Sequence, residues 1–173
     1  MGTFFVVRNA APPWGDYGEM LVSGMASRQD DGSIALERAG PFVPPITLIA
    51  PDVLVVTDAF RRELEGSGLR GLSFRGAIRK RIVRVDWRHW DRTKSDPERY
   101  PPDGEPENYI LRRRHNAALA HEIGPLWEVV IDTDGDGESR DVVRTSTGRI
   151  FVSEAGREWL AHNAGEWLQF LEP

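Results

Sequence analysis

Two segments of this 173-residue chain repeat each other at one constant offset, and a repeat of this kind constrains the fold more than any other feature of the sequence. One copy begins at Leu54 and the other at Ile150. Aligned without gaps, the copies are identical at Val56/Val152, Ala59/Ala155, Arg61/Arg157, Leu64/Leu160, Leu72/Leu168 and Phe74/Phe170. Two copies are fewer than a solenoid needs, so we interpret them as pseudo-symmetric parts of one domain.

Each copy predicts a strand, a helix and a second strand. A short apolar strand ends at a hydroxyl residue, Thr57 or Ser153, which can cap a helix. An acidic residue follows in the first turn, where the helix dipole favours it. A glycine-containing turn then leads into a strand with alternating apolar residues. The repeat units are therefore predicted over residues 52–76 and 148–172.

The copies also predict which side of each helix is buried. Helical spacing indicates that Ala59 and Leu64, with their counterparts Ala155 and Leu160, face the core. The arginine shared by the copies is predicted at an equivalent place near each helix surface. An alternative is that the second copy forms a single long helix through Trp167–Phe170, whose spacing also suits a helix.

The rest of the chain completes an α+β domain over residues 1–173, with mostly antiparallel strands and short helices. Prolines and charges predict a long irregular connection over residues 91–108. Outside the repeats, the expected strands are Phe4–Val7, Ile78–Trp87, Leu126–Asp132 and Arg140–Thr145, and the expected helix is Ile110–Ile123. The last two strands flank Thr133–Ser139 and outline a hairpin.

Composition bounds the class of protein. Hydrophobic residues at 40% and charged residues at 28% are ordinary for a soluble globular chain. The absence of cysteine excludes disulfides, thiolate metal sites and a cysteine nucleophile. No apolar run approaches the roughly 20 residues that cross a bilayer, and no signal peptide is evident. We therefore expect a cytoplasmic protein that does not engage a membrane.

The sequence contains no motif that predicts catalysis. It has no nucleophile elbow, phosphate-binding loop or dinucleotide fingerprint. The four histidines are not spaced for shared zinc ligation, because His115 and His121 would lie on different faces of a helix. We therefore predict that the protein is not an enzyme and holds no cofactor.

Two acidic, turn-rich segments are the candidate partner-binding sites. The first resembles a calcium loop from Asp132 onward, but Val143 stands where a bidentate glutamate is required, so we favour an acidic hairpin tip. Its candidate residues are Asp134, Asp136 and Glu138, and those of the second segment are Asp103, Glu105 and Glu107. Carboxylates in both segments suit a cationic partner surface.

A basic middle region provides the main alternative. Basic residues outnumber acidic ones over residues 70–115, although the whole chain carries a net charge of −5. Such a region can bind nucleic acid, a partner protein or the chain's own acidic parts. Along Arg79–Trp90 the basic side chains alternate between the two faces of a strand, so they do not form one platform for stacked nucleotides. We favour self-complementation or a protein partner.

Several short motifs resemble a family of small bacterial proteins. They are Glu37–Ile46, Gly71–Phe74, Arg81–Val83, Gly104–Leu111 and Leu126–Glu128. The resemblance covers roughly residues 36–170 and extends to the myxobacterial double-CXXCG-motif proteins, which are regarded as immunity proteins of contact-dependent toxin systems. This chain lacks both CXXCG motifs, so the metal binding that they would suit is not expected here.

The resemblance implies a cytoplasmic immunity protein that binds a cognate toxin domain and neutralises it without catalysing a reaction. Two alternatives stay open at this point: a nucleic-acid-binding module that uses residues 70–115, and an enzyme of unrecognised type.

Overall fold

The computed structural model describes residues 3–10, 27–38, 43–50, 52–83, 114–132 and 140–173. Within these ranges the fold is α+β, as predicted, with three mostly antiparallel sheets. The strands are β1 (Phe4–Asn9), β2 (Ser27–Arg28), β3 (Ile34–Arg38), β4 (Ile46–Ala50), β5 (Val53–Thr57), β6 (Leu72–Gly76), β7 (Ile78–Ile82), β8 (Leu126–Ile131), β9 (Val142–Arg144), β10 (Ile150–Ser153) and β11 (Leu168–Leu171). The helices are α1 (Asp58–Gly66), α2 (Ala117–Ile123) and α3 (Glu154–Ala164).

Both repeat copies form a strand, a helix and a strand, which confirms the predicted units. The first copy is β5–α1–β6 and the second is β10–α3–β11. The predicted caps are present, because the hydroxyl of Thr57 accepts from Phe60 N at 3.4 Å and that of Ser153 accepts from Gly156 N at 3.2 Å. The alternative of one long helix through Trp167–Phe170 is wrong, since α3 ends at Ala164.

The predicted buried side of the helices is only half right. Leu64 and Leu160 are buried, but Ala59 and Ala155 are exposed. Each helix begins directly after its strand, and this start sets the rotation of the helix about its axis. In α1 the residue after Ala59, Phe60, therefore faces the sheet, one helical turn before the buried Leu64. The buried positions of α3 are Gly156, Leu160 and Ala164.

A third strand separates the two strands of each repeat unit. β8 lies between β5 and β6, and β1 lies between β10 and β11, antiparallel to both neighbours in each case. A fourth strand completes each sheet, giving the matching orders β4-β5-β8-β6 and β9-β10-β1-β11. The two sheets are therefore the same arrangement built twice, with the inserted strand taken from a different part of the chain.

The register of the two sheets matches residue for residue. Trp127 of β8 stands opposite Val56 of β5, and Phe5 of β1 stands opposite the equivalent residue of β10, Val152. The arginines that the two copies share contact these two rings in the same way. The guanidinium of Arg61 lies 4.5 Å from the centre of the Trp127 ring, and that of Arg157 lies 4.5 Å from the centre of the Phe5 ring.

One hydrophobic core lies between the two four-stranded sheets and the helices α1 and α3. The helices meet where the rings of Phe60 and Trp159 lie 5.8 Å apart. The buried residues of this core are Phe5, Val7, Ile46, Leu48, Leu54, Val56, Phe60, Leu64, Val129, Ile131, Val142, Ile150, Val152, Leu160, Ala164 and Leu168. A cavity of about 10 Å³ between the layers is lined by aliphatic side chains and belongs to this core.

The third sheet, β2-β3-β7, covers the other face of the first repeat's sheet. Ile34 and Leu36 of β3 pack against Val55 and Leu126. β7 pairs in parallel with β3. It lies at the edge of this sheet, a position that its many charged residues predict, and it ends at Ile82. The predicted strand over 78–87 is wrong at Val83, and the predicted helix 110–123 is wrong over residues 114–116, because Asn116 caps the helix that begins at Ala117. Positions 84–87, the connection 91–108 and positions 110–113 lie outside the described residues.

Candidate partner-binding site

The six carboxylates predicted from the sequence lie outside the described residues. Asp134, Asp136 and Glu138 belong to the span 133–139, and Asp103, Glu105 and Glu107 belong to the span 84–113. The structure does describe the chain on both sides of each span. The geometry of these flanking residues determines where each acidic segment leaves the fold and where it returns.

The predicted hairpin around residues 133–139 is wrong. Both flanking strands exist, but β8 pairs with β5 and β6 whereas β9 pairs with β10. β8 occupies a central place in one sheet, so both of its edges are taken, and β9 forms its own hairpin with the strand that follows it. The acidic segment therefore connects the two repeat sheets.

Both ends of the acidic segment are bound to the same dipeptide, Arg70–Gly71. Asp132 N donates to Gly71 O at 3.2 Å, and Asp141 N donates to Arg70 O at 3.0 Å. The guanidinium of Arg140 closes the two ends on each other by donating to Asp132 O at 2.5 Å. We call these five residues, Arg70, Gly71, Asp132, Arg140 and Asp141, the neck.

A side chain at Gly71 would strain the neck. Its φ is +92°, in a region that L-residues rarely adopt. A Cβ there would lie 2.7 Å from Val142 O and 3.2 Å from the Arg140 side chain. The close approach of β9 to the start of β6 therefore depends on a glycine.

Asp141 joins the neck to the helix of the second repeat. Its carboxylate accepts from Arg70 N at 3.0 Å, from Arg70 Nε at 3.3 Å and from Ser153 Oγ at 3.0 Å. Burial favours the neutral acid, but these hydrogen bonds and the charge of Arg70 outweigh it, so the pKa of Asp141 is below its usual range. The same Ser153 hydroxyl caps α3, so the segment's exit is tied to that helix.

A second pair of contacts holds the ends of the span 84–113. Ile82 N donates to His115 Nδ1 at 3.0 Å, and Asn116 N donates to Ile82 O at 2.7 Å. Asn116 also caps α2, since its side chain accepts from Leu119 N at 2.9 Å. The chain therefore enters and leaves the span 84–113 at one place beside α2.

Several described cations of the basic region lie beside acceptors of the same chain. Arg79 donates to the carbonyls of Ala120 and Gly124 at the end of α2. Lys80 and Arg81 lie 3.8 and 3.9 Å from the buried carboxylate of Glu37. This is the arrangement expected of self-complementation, and it leaves fewer cations of this region for an external anion.

A half-buried ion pair links the third sheet to the first repeat. Arg28 binds both carboxylate oxygens of Glu128, at 2.7 and 3.3 Å, while the side chain of Glu128 exposes only 6% of its surface. Arg28 and Arg75 also both donate to Gly32 O. The pair thus fixes β2 and its turn onto the sheet, which is a structural role.

Sequence reasoning did not find the neck. Most of its bonds involve backbone groups, which carry no residue signature, and Asp141 is an isolated acid before an apolar strand.

Within the described ranges, no group of three or more His, Asp or Glu side chains is arranged to hold a metal, and no helix is long and apolar enough to span a membrane. Comparison with protein-family models, curated proteins and solved structures finds no match to this chain.

Proposed function

We propose that this protein is an immunity protein that binds a cognate bacterial toxin domain in the cytoplasm and occludes its active site without catalysing a reaction. The observation that carries the proposal is the neck. The residues on both sides of the segment that contains Asp134, Asp136 and Glu138 are bound to Arg70–Gly71, so the chain enters and leaves this segment at a fixed place.

Fixing both ends of a binding segment matters for affinity. Ordering a free loop on binding costs conformational entropy, and holding its ends in advance reduces that cost. Carboxylates presented in this way complement the cationic clefts of toxins that act on nucleic acids or nucleotides. Complementary charge mainly raises the association rate and sets specificity.

The nucleic-acid alternative has less support from the described contacts. Arg79, Lys80 and Arg81, which are described residues of the basic region, lie beside acceptors of the same chain. A strong decrease of oligonucleotide affinity with salt would nevertheless favour that alternative, because release of counterions from nucleic acid produces such a dependence.

The test combines survival with binding kinetics. A candidate toxin domain, sought among the products of neighbouring genes, is expressed in cells with and without this protein, and its association is measured by surface plasmon resonance. Replacing Asp134, Asp136 and Glu138 with Ser should slow association and weaken protection, while changing stability by no more than about 0.5 kcal/mol. A second variant, in which Asp103, Glu105 and Glu107 are replaced with Ser, is measured in the same two assays.

The matched control removes three exposed carboxylates elsewhere, by changing Glu63, Glu158 and Glu172 to Ser. It alters the net charge by the same amount, so a specific interface predicts protection and association rates like those of the wild type. If both acidic-segment variants protect cells and bind as fast as this control, the proposed interface is refuted. Failure of the wild-type protein to protect would refute the function itself.

A further inference from the structure

The arginines that the two repeat units share occupy equivalent places but have different partners. Each guanidinium lies 4.5 Å from the centre of an aromatic ring, Arg61 over Trp127 and Arg157 over Phe5. Each arginine also follows an acid by three positions in its helix. The exposed fraction of the side chain is 18% for Arg61 and 36% for Arg157. Because the ring and the place in the helix correspond, the other neighbours of the two arginines can be compared directly.

In the first unit, Arg61 is bound by carboxylates on both sides. Its Nε donates to Asp58 Oδ1 at 3.2 Å, and its Nη1 donates to Glu65 Oε1 at 2.5 Å. Asp58 is held in turn by Arg62 Nη2 at 2.5 Å and by Trp127 Nε1 at 3.0 Å. The donors of this guanidinium are therefore used on acceptors of the same chain.

In the second unit, Arg157 has no carboxylate on the side where Arg61 meets Glu65. The equivalent position is Ala161, which is exposed and carries no acceptor in its side chain. Within the part of the chain that the structure describes, Arg157 makes no hydrogen bond and one ionic contact. That contact joins its Nη2 to Glu154 Oε1 over 3.7 Å, which is longer than a hydrogen bond.

Glu154 does not replace the missing acceptor. It exposes 64% of its side chain, whereas the equivalent Asp58 exposes 20%. The two side chains that donate to Asp58 are replaced in the second unit by Glu158 and Phe5, whose side chains offer no donor. Nothing there draws Glu154 onto the helix, so the guanidinium keeps unused donors on the side of Ala161.

The Phe5 ring prepares this guanidinium for a ligand. Stacking on a ring restricts a long side chain in advance, so less entropy is lost when its donors are bound. The planar fork of N–H groups matches the two oxygens of a carboxylate. Arg61 shows that an arginine at this distance from a ring can bind carboxylates at the same time.

We propose that Arg157 is an interaction site for a protein partner, in which an acidic side chain of the partner takes the place that Glu65 has beside Arg61. A free anion would be held by one partly exposed ion pair, which contributes little by itself. An acidic side chain on a partner gains its remaining affinity from the surrounding interface, and arginine is among the residues that dominate such interfaces. The site does not involve the acidic segments, so it is independent of the proposed function.

The site is tested on the full chain with a blocked tripeptide that carries a central glutamate. The signal is the Nε–H resonance of Arg157 in the nitrogen–proton NMR spectrum, assigned by its loss in Arg157→Gln. At about pH 6 the glutamate is ionised, and sodium chloride keeps the ionic strength constant. The resonance should shift with peptide concentration up to about fivefold more steeply than with the matching glutamine peptide, as one exposed ion pair allows.

Two matched variants exchange the arrangements of the units. Ala161→Glu supplies the missing carboxylate within the chain, so the response of Arg157 to the glutamate peptide should be lost. Glu65→Ala opens the equivalent place in α1, so Arg61 should respond in this variant and not in the wild type. Both substitutions are at exposed positions, and circular dichroism checks that both variants are folded.

A merely structural role of Arg157, as a cover for Phe5, predicts a different pattern. Arg157→Gln would then lower the melting temperature, while Arg157 in the wild type would respond equally to the glutamate and glutamine peptides, and that result would overturn the proposal. An undiminished response in Ala161→Glu would do so as well. A steeper response to methyl phosphate than to the glutamate peptide would assign the site to a phosphate-bearing ligand, and the acidic side chain would be the wrong occupant.

Discussion

Replacing Gly71 with Ala tests whether the neck is as closely packed as its geometry indicates. Two costs are expected. An L-residue in the left-handed region loses about 1–2 kcal/mol. In addition, the new Cβ would lie 2.7 Å from Val142 O, so β9 must retreat. That movement weakens the bond from Val142 N to Arg70 O, which is worth about 1 kcal/mol.

The chain offers a matched control for the backbone strain alone. Gly68 has a similar φ of +76°, but a Cβ there meets no atom within 4 Å. Gly68→Ala should therefore cost about 1–2 kcal/mol and Gly71→Ala about 2–3 kcal/mol of unfolding free energy, measured by urea denaturation. For a chain of this size, the second value corresponds to a melting temperature lower by about 4–12 °C.

The comparison between the two glycines decides the result. If Gly71→Ala loses no more stability than Gly68→Ala, the contact with Val142 is not close and the neck is not a packed unit.

Three further predictions concern the fold. Leu64→Ala and Leu160→Ala should each cost about 2–5 kcal/mol in urea denaturation, because both leucines fill equivalent places in one core; a large difference between them would contradict the equivalence. The carboxylate of Asp141 stabilises the fold above its unfolded-state pKa of about 3.9, and this contribution is lost as pH falls through the lowered folded-state value. Asp141→Asn should therefore be less stable at pH 7 and lose less stability between about pH 5 and pH 2 than the wild type, and parallel pH profiles would refute this. Arg28→Met should lower the free energy of unfolding by about 2 kcal/mol. This is less than the loss expected on breaking a fully buried ion pair, because Arg28 exposes 42% of its side chain, and adding Glu128→Leu should recover most of the loss.

The repeat was predictable because its signals are local. Thr57 and Ser153 each stand between an apolar strand and an acid, and this pattern indicates a helix start whatever surrounds it. The alternating apolar residues after each helix indicate a strand for the same reason. The rotation of each helix was less certain, because it depends on the sheet below, and the sheet buried Phe60 where the spacing had favoured Ala59.

The insertion of β8 and β1 could not be predicted in the same way. Each strand pairs with two strands that are joined to each other through a helix, and no local pattern encodes partners so distant in sequence. The hairpin predicted over 126–145 was wrong for this reason, since adjacency in sequence favoured pairing between β8 and β9. The neck follows from that topology, so its position was equally hidden.

The place of β1 has a consequence for the order in which the molecule folds. β1 is synthesised before the rest of the described chain, yet its partners β10 and β11 are synthesised last. The first repeat can assemble its four strands from residues 46–131, while the second must wait until nearly the whole chain exists. During synthesis β1 is therefore an apolar strand with two unpaired edges. We expect closure of the second sheet to be the slow, long-range step of folding, and the step during which aggregation competes with folding.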